Sequence, residues 1–498
     1  MSQRVFEIDE LTRLIFHHLV EIDRGSLVSI ARTCRMFEEP ALSSLWETKD
    51  SFSHLVHVLT VADEGVRDQA SRTVPSPISL LRQTTEHSHS GNTRHRYLRY
   101  ASWMRRLRLE ENVLTHKGIA LDRVLVAHST SNGLLCPNLR RLDSPFTKRL
   151  RPLIPLFISP RLTHLTLHVD PSGGLTCQDL GPILQALPTP CIQELFLDFG
   201  QKSMVRFAHE ISFMIQRCGD SLRLLHVPIS LGEATVRHVL NLNGLQCWNS
   251  VYDVPPIIPP LSAPFPSLHS LTLYGKKAHG WMAWLTQRRR GALDGHDGPL
   301  EHSRVLTSLT DLTFVDSVPV DATFISPLHL FPNLVVLRVT RDCYEEPRCS
   351  FSLTNQDVAK LSAALPRLEV LDLGRPCAGD TTPTTISCFL APSIHCKSLR
   401  VLSIHFNVTK LVDDVRSLSK DPDFRGLRSL PTRCTLESFS VGILPFPGGI
   451  PDEEITTIAK VLIGIFPSLL YIECNGLADW EPLSDKIEEL QATHLHPS

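Results

Sequence analysis

Along residues 331–339, FPNLVVLRV, apolar and polar positions follow a fixed order: Leu334, Leu337 and Val339 spell L-x-x-L-x-L. Leu337 and Val339 are two apart and share one face of an extended strand, and Leu334 turns into the same core as the chain enters it. The residue before Pro332 is pushed out of the α region, so the Phe-Pro pair marks where a preceding helix stops. The phrase returns as FPSLHSLTL (265–273), LPRLEVLDL (365–373) and FPSLLYIEC (466–474). Counted by their first apolar position, copies begin at Met104, Leu139, Leu162, Ile192, Leu222, Leu268, Leu309, Leu334, Leu368, Leu399, Leu436 and Leu469. A weaker copy begins at Leu242 (LNGLQCW). Spacings run from 23 residues (139 to 162) to 46 (222 to 268).

Between copies the apolar spacing becomes helical, as in CQDLGPILQAL (177–187), NQDVAKLSAAL (355–365) and DEEITTIAKVLIGIF (452–466). Asn355 and Asp452 open the last two as N-cap types. Strand and helix alternating over about 30 residues, with this phrase, resembles a leucine-rich repeat of the longer, helix-containing type across residues 100–480. The resemblance implies an α/β leucine-rich repeat solenoid, with parallel strands on the concave side and helices outside. The Asn that usually follows the strand and ties successive turns together is missing from most copies; Asn407 is the one clean fit. The plainer alternative is an ordinary α/β domain with Leu-rich strands.

The first fifty residues follow a different pattern. In VFEIDELTRLIFHHLVEIDRGSLVSIARTCRMFEEPALSSLWE (5–47), Leu11, Leu14, Ile15, His18 and Leu19 lie on one helical face. After a break at Asp23–Gly25, Leu27, Ile30, Ala31 and Cys34 begin a second helix, and Leu42, Leu45 and Trp46 suggest a short third one after Pro40. About 45 residues bury too little surface to stand comfortably alone, so this many apolar side chains imply a neighbour. The run is similar to an F-box of the style common among fungal proteins. Ile8, Glu10 and Leu11 match its start, Ile15, Phe16 and Leu19 its first helix, then Leu27, Ala31, Cys34, Arg35 and Phe37, and Pro40, Ala41, Leu42, Leu45 and Trp46 its close. The family usually has Pro before the opening Glu, where Asp9 stands here. The alternative is a helical cap on the open end of the repeats.

Composition narrows the field. The 498 residues are 42% hydrophobic and 20% charged, with a formal net charge of −2 and pI near 6.9, which is globular and offers no footprint for nucleic acid or an anionic membrane. Thirteen scattered Cys without CxxC pairs suit reduced thiols, and no signal-peptide run opens the sequence, so a cytoplasmic or nuclear protein is expected. No Gly-rich phosphate loop, H-E-x-x-H or G-x-S-x-G occurs, so no catalytic residue, metal or cofactor is expected. HSHSGNTRHR (87–96) reads as polar linker within the Ser/Thr/Pro-rich stretch 68–95, and PPIIPPLSAPFP (255–266) as an extended connector filling the longest gap. RHRYLRYASWMRRLR (94–108) is either the solvated face of the first repeat or a contact for an acidic partner.

The expected organisation is an F-box at 1–50, a helical and polar linker at 51–100, repeats at 101–480 with insertions near 250–265 and 275–303, and a C-terminal cap and tail at 481–498. By resemblance, such a chain is the non-catalytic substrate receptor of an SCF-type ubiquitin ligase. Its F-box docks a Skp-type adaptor and through it a cullin, and the repeats hold an unknown protein substrate. The resemblance puts Ile8, Leu11, Ile15, Leu19, Leu27, Cys34, Leu42 and Trp46 against the adaptor. Strand alternation places His164, Glu194, Phe196, Asp198, Tyr274, Arg338, Asp372, His405 and Tyr471 on the concave face, with His168, His226 and Glu473 in the same rows. A leucine-rich scaffold whose N-terminal helices only cap the array is the competing reading.

Overall fold

The computed structural model describes residues 9–47, 98–110, 133–169, 177–199, 207–251, 267–275, 308–315, 320–340, 351–374, 383–407, 410–420, 434–440, 450–473 and 480–495. Ile8, the stretches 68–95 and 255–266, and nearly all of the 275–303 insertion lie outside them. The chain divides into two compact units, residues 1–244 and 245–498.

The first unit opens with three helices, α1 (Asp9–Ile22), α2 (Arg24–Thr33) and α3 (Arg35–Glu47). A single residue separates α1 from α2: the Asp23 carboxylate accepts the Gly25 N–H (2.9 Å) and the Ser26 hydroxyl, capping α2 and holding its own pKa below the usual range. The third helix begins five residues before Pro40 rather than after it, and carries that proline inside. Five parallel strands follow in sequential order: β1 (Arg106–Arg108), β2 (Arg141–Phe146), β3 (His164–Val169), β4 (Glu194–Asp198) and β5 (Leu224–Ser230). Helices α4 (Ile154–Phe157), α5 (Cys177–Ala186) and α6 (Ala208–Arg217) lie in turn between β2, β3, β4 and β5, and α7 (Glu233–Leu240) follows β5. The register aligns Leu107, Leu142, Leu165, Leu195 and Leu225, all buried, so the second Leu of each phrase stacks on its counterpart in the next turn.

The second unit repeats the scheme with β6 (Cys247–Val251), β7 (Ser270–Tyr274), β8 (Asp311–Val315), β9 (Val336–Thr340), β10 (Val370–Asp372), β11 (Val401–Ser403), β12 (Ser438–Ser440) and β13 (Tyr471–Glu473). Helices α8 (Ala322–Ile325), α9 (Asn355–Ala364), α10 (Leu390–His395), α11 (Leu411–Lys420) and α12 (Asp452–Ile465) lie between strands, and α13 (Glu481–Leu495) follows the last. Parallel strands aligned on one apolar ladder and linked through helices make this the α/β leucine-rich repeat architecture expected. The weak copy is corrected by one phrase position. Trp248 is the register partner of Leu271, so the phrase runs Leu245, Trp248, Ser250 and not from Leu242. The interval from 222 to 268 is therefore two steps of 23, and residues 250–251, assigned to an insertion, complete β6. Helix starts shift similarly. Thr354 caps α9 in a reciprocal box with Asp357, while Asn355 bonds Thr385; Pro451, not Asp452, precedes α12.

Among the described residues the turns are tied together mainly through the backbone, and the side-chain amide of Asn138 donates to Ser102 O (2.8 Å). At the start of a strand, two consecutive N–H groups donate to one carbonyl of the preceding turn: Gln193 and Glu194 to Thr163 (2.7 and 3.0 Å), Val335 and Val336 to Thr310 (2.7 and 2.9 Å), Arg400 and Val401 to Glu369 (2.8 and 3.1 Å). Short hydroxyls reinforce the step, with Ser159 donating to Leu139 O (2.7 Å), Ser221 to Ile192 O (3.0 Å) and Ser308 to Leu268 O (2.9 Å). These bonds satisfy buried backbone groups that a side-chain amide serves elsewhere. Among the described residues no helix is long and apolar enough to cross a membrane.

Candidate partner-binding surfaces

Helix α1 is apolar around more than half its circumference, and its two apolar stripes face different ways. Phe16 and Val20, with Thr12, are buried, and pack with Leu27, Ala41 and Leu45 into the core of the three-helix unit. A second stripe, about 140° around the helix, carries Leu11, Leu14, Ile15, His18 and Ile22. Its apolar members are Leu11 at 38% exposure, Leu14 at 54%, Ile22 at 80% and a half-buried Ile15. The face that the sequence singled out is thus mostly the outer one. Leu19 lies between the stripes, half-buried.

The other positions assigned to an adaptor divide. Cys34 and Leu42 are half-buried. Leu27 is fully buried and supports the unit from within. Trp46 is also covered, at 8% exposure, because its ring stacks on Tyr100 with centroids 4.8 Å apart. Tyr100 belongs to a helical segment, 98–103, just before β1, and Arg99 of that segment lies 3.9 Å from Glu38 and 3.8 Å from Glu39 of α3.

On the strands of the first unit, the outward positions form a connected polar network. His164 lies 3.3 Å from Glu194, and His168 stands between Asp143 (3.4 Å) and Asp198 (3.6 Å). Phe196 is half-buried, its ring stacked on His226 at 3.9 Å and tilted against His168 at 6.0 Å. Burial holds the His226 imidazole down at a pKa of about 4, against a raising influence from Asp198 and a lowering one from His168. Counting the same offsets from Met104 and Leu139 gives further outward side chains that the sequence reading left out: Arg106, Arg108, Arg141 and Asp143.

In the second unit Arg338 and Asp372 are register partners on β9 and β10, the former exposed and the latter half-buried, its carboxylate accepting the Gly374 N–H at 3.1 Å. Tyr274 is half-buried, and Tyr471 is exposed beside Leu470. His405 is 1% exposed and its ring stacks on Phe351 at 5.3 Å. It fails as a surface residue because β11 ends at Ser403, so the two-residue alternation no longer governs position 405. The buried thiols Cys218 and Cys396 are pushed up to about 12 by burial, which leaves them protonated and inert.

No family model matches the chain, and no curated protein matches it in sequence. Among solved structures, a leucine-rich repeat-containing protein, LegL7 from Legionella pneumophila, is similar at 13% identity, with 77% of this chain and 98% of that one covered and a TM-score of 0.34. A structure of the Rad7 and Elc1 complex in yeast is similar at 15% identity, with 81% and 94% covered and a TM-score of 0.37.

Proposed function

We propose that this chain is a non-catalytic substrate-recognition subunit of an SCF-type ubiquitin ligase, acting in the cytoplasm or nucleus. Its three N-terminal helices dock a Skp-type adaptor that leads to a cullin, and its repeat strands hold a protein substrate. The receptor performs no bond chemistry. It raises the local concentration of a substrate lysine beside the charged ubiquitin. The observation that carries the reading is the second apolar stripe of α1, with Leu11, Leu14 and Ile22 exposed on a unit that already has its own core. Exposed apolar side chains arranged along one helix face mark a partner site rather than a solvated surface.

The test is co-expression of the full chain with a Skp-type adaptor. Stoichiometric co-purification is expected, abolished by Leu11→Asp combined with Leu14→Asp, while the thermal transition of the free chain is unchanged because neither side chain is in the core. Absence of the adaptor from the wild-type preparation overturns the proposal. A second reading, a repeat scaffold whose N-terminal helices serve as a cap, is favoured by the Trp46–Tyr100 stack, which packs α3 on the segment preceding β1. On that reading the double substitution changes no association.

A further inference from the structure

The arginines that begin the first two turns form a surface of their own. Arg106 and Arg141 are register partners on β1 and β2, and Arg108 lies two residues further along the same outward face. Burial lowers the Arg105 pKa, Glu47 raises it, and Arg140 and Arg161, which stand where β2 and β3 begin, lie close enough to lower it further. Arg106, Arg108, Arg140, Arg141 and Arg161 are exposed. Arg105 is not available, since its guanidinium donates to the Ser102 carbonyl at 2.9 Å. Arg108 reaches Asp143 only at 4.0 Å, and that carboxylate is shared with His168. Among the described residues the side chains of Arg106, Arg140, Arg141 and Arg161 make no hydrogen bond or ion pair.

Like charges on adjacent strands repel one another, and among the described residues no carboxylate neutralises these four. Adjacent strands are about 4.8 Å apart, so the patch spans the width of a few extended residues. The charges are spread over three strands instead of converging on a point, which matches a row of separate carboxylates better than one dianion. Asp143, Glu194 and Asp198 border the patch, and the ring of Phe196 is already stacked on His226. On these strands the Phe196 ring is already covered by His226, so a nucleic acid would find no open ring there to stack on. We infer that the arginines at the start of β1, β2 and β3 dock an acidic, Asp/Glu-rich segment of a partner protein. Planar guanidinium groups suit this task because each can grip a carboxylate with two parallel N–H donors. The inference stands apart from the ligase reading: it concerns neither α1 nor the adaptor, and holds for a scaffold equally.

The test uses the full chain and a fluorescein-labelled octa-glutamate peptide, followed by anisotropy at about 50 mM and about 300 mM salt, where screening differs. Saturable binding that weakens with salt is expected. Arg106→Gln with Arg141→Gln, and independently Arg140→Gln with Arg161→Gln, each lower the affinity about two- to thirty-fold, the range for two exposed charge pairs. Arg237→Gln, on a helix and paired with Glu233, leaves it unchanged. Two competitors of equal charge are run alongside, a doubly phosphorylated peptide and an oligothymidylate. Tighter binding of either overturns the carboxylate assignment. Equal affinity of the wild type and both double variants for the glutamate peptide overturns the site.

Discussion

Replacing Leu371 by Ala probes the register of the repeats at its middle. Leu371 is fully buried in β10, with Leu337 of β9 and Leu402 of β11 as its register partners, both fully buried as well. Three carbons are lost at about 0.8 kcal/mol each, roughly 2.4 kcal/mol before any cavity term. Incomplete collapse of neighbours fixed in their own turns brings the total into the range of ~2–5 kcal/mol. Val370, one residue earlier, is half-buried and faces the other way. Val370→Ala removes two carbons from a half-covered site, about 0.8 kcal/mol on the same scale. Repeat arrays unfold through nearest-neighbour interfaces and need not behave as one cooperative unit. The assay is therefore local: hydrogen exchange of the Glu369 and Val370 amides, which donate to Val335 O, and of Arg400 and Val401, which donate to Glu369 O. Protection falls at least about fifty-fold for Leu371→Ala and about four-fold for Val370→Ala. Equal losses would falsify the inward assignment of Leu371 and with it the phase of the whole ladder.

Other consequences are open to measurement. Trp248→Ala costs ~3–5 kcal/mol, read as lost protection of the His269 and Ser270 amides that donate to Gln246 O, and Trp248→Leu, which restores the commoner residue of the phrase, costs less; no loss in either variant would return the copy to Leu242. His226 is held neutral in the fold, with a pKa lowered to about 4 from 6.5, so the unfolded chain binds the extra proton between those values. Stability is accordingly flat above pH 6.5 and falls toward pH 4, and His226→Phe, which keeps a ring against Phe196, flattens that portion of a denaturation-against-pH curve; an unchanged curve contradicts the burial assigned to this imidazole.

Much of the architecture is written in the spacing. Twelve phrase starts from Met104 to Leu469 correspond to buried residues three positions before the central apolar residue of each strand, because a Leu that must stack on its counterpart tolerates little variation. The thirteenth is displaced because Trp248 and Ser250 stand where Leu is usual, and Leu242, itself buried two residues past the end of α7, offers a false start. The outer stripe of α1 was legible as an apolar face, but periodicity does not say which of two apolar stripes a helix turns inward. That is decided by Phe16, whose ring meets Phe37 edge-on at 5.9 Å. The burial of Trp46 and His405 is not legible for one reason: their covers, Tyr100 and Phe351, lie 54 residues away in each case (46 to 100, 351 to 405), and no local pattern announces a ring that distant in sequence.

A stack of parallel strands has no intrinsic length, since each turn offers the next the same row of hydrogen-bonding groups. Helix α13 meets that row at β13. Ser484 Oγ accepts the Ile472 N–H at 3.4 Å, and the Gln491 amide donates to the carbonyls of Pro467 (2.8 Å) and Leu469 (3.3 Å). Two side chains thereby occupy the bonding positions that a fourteenth strand would fill. The helix acts as a chain terminator in the sense used of growing polymers: it ends propagation by satisfying the growing end. A protein truncated before Trp480 keeps every strand yet presents β13 as a live edge, and its characteristic failure is end-to-end growth into oligomers rather than loss of fold.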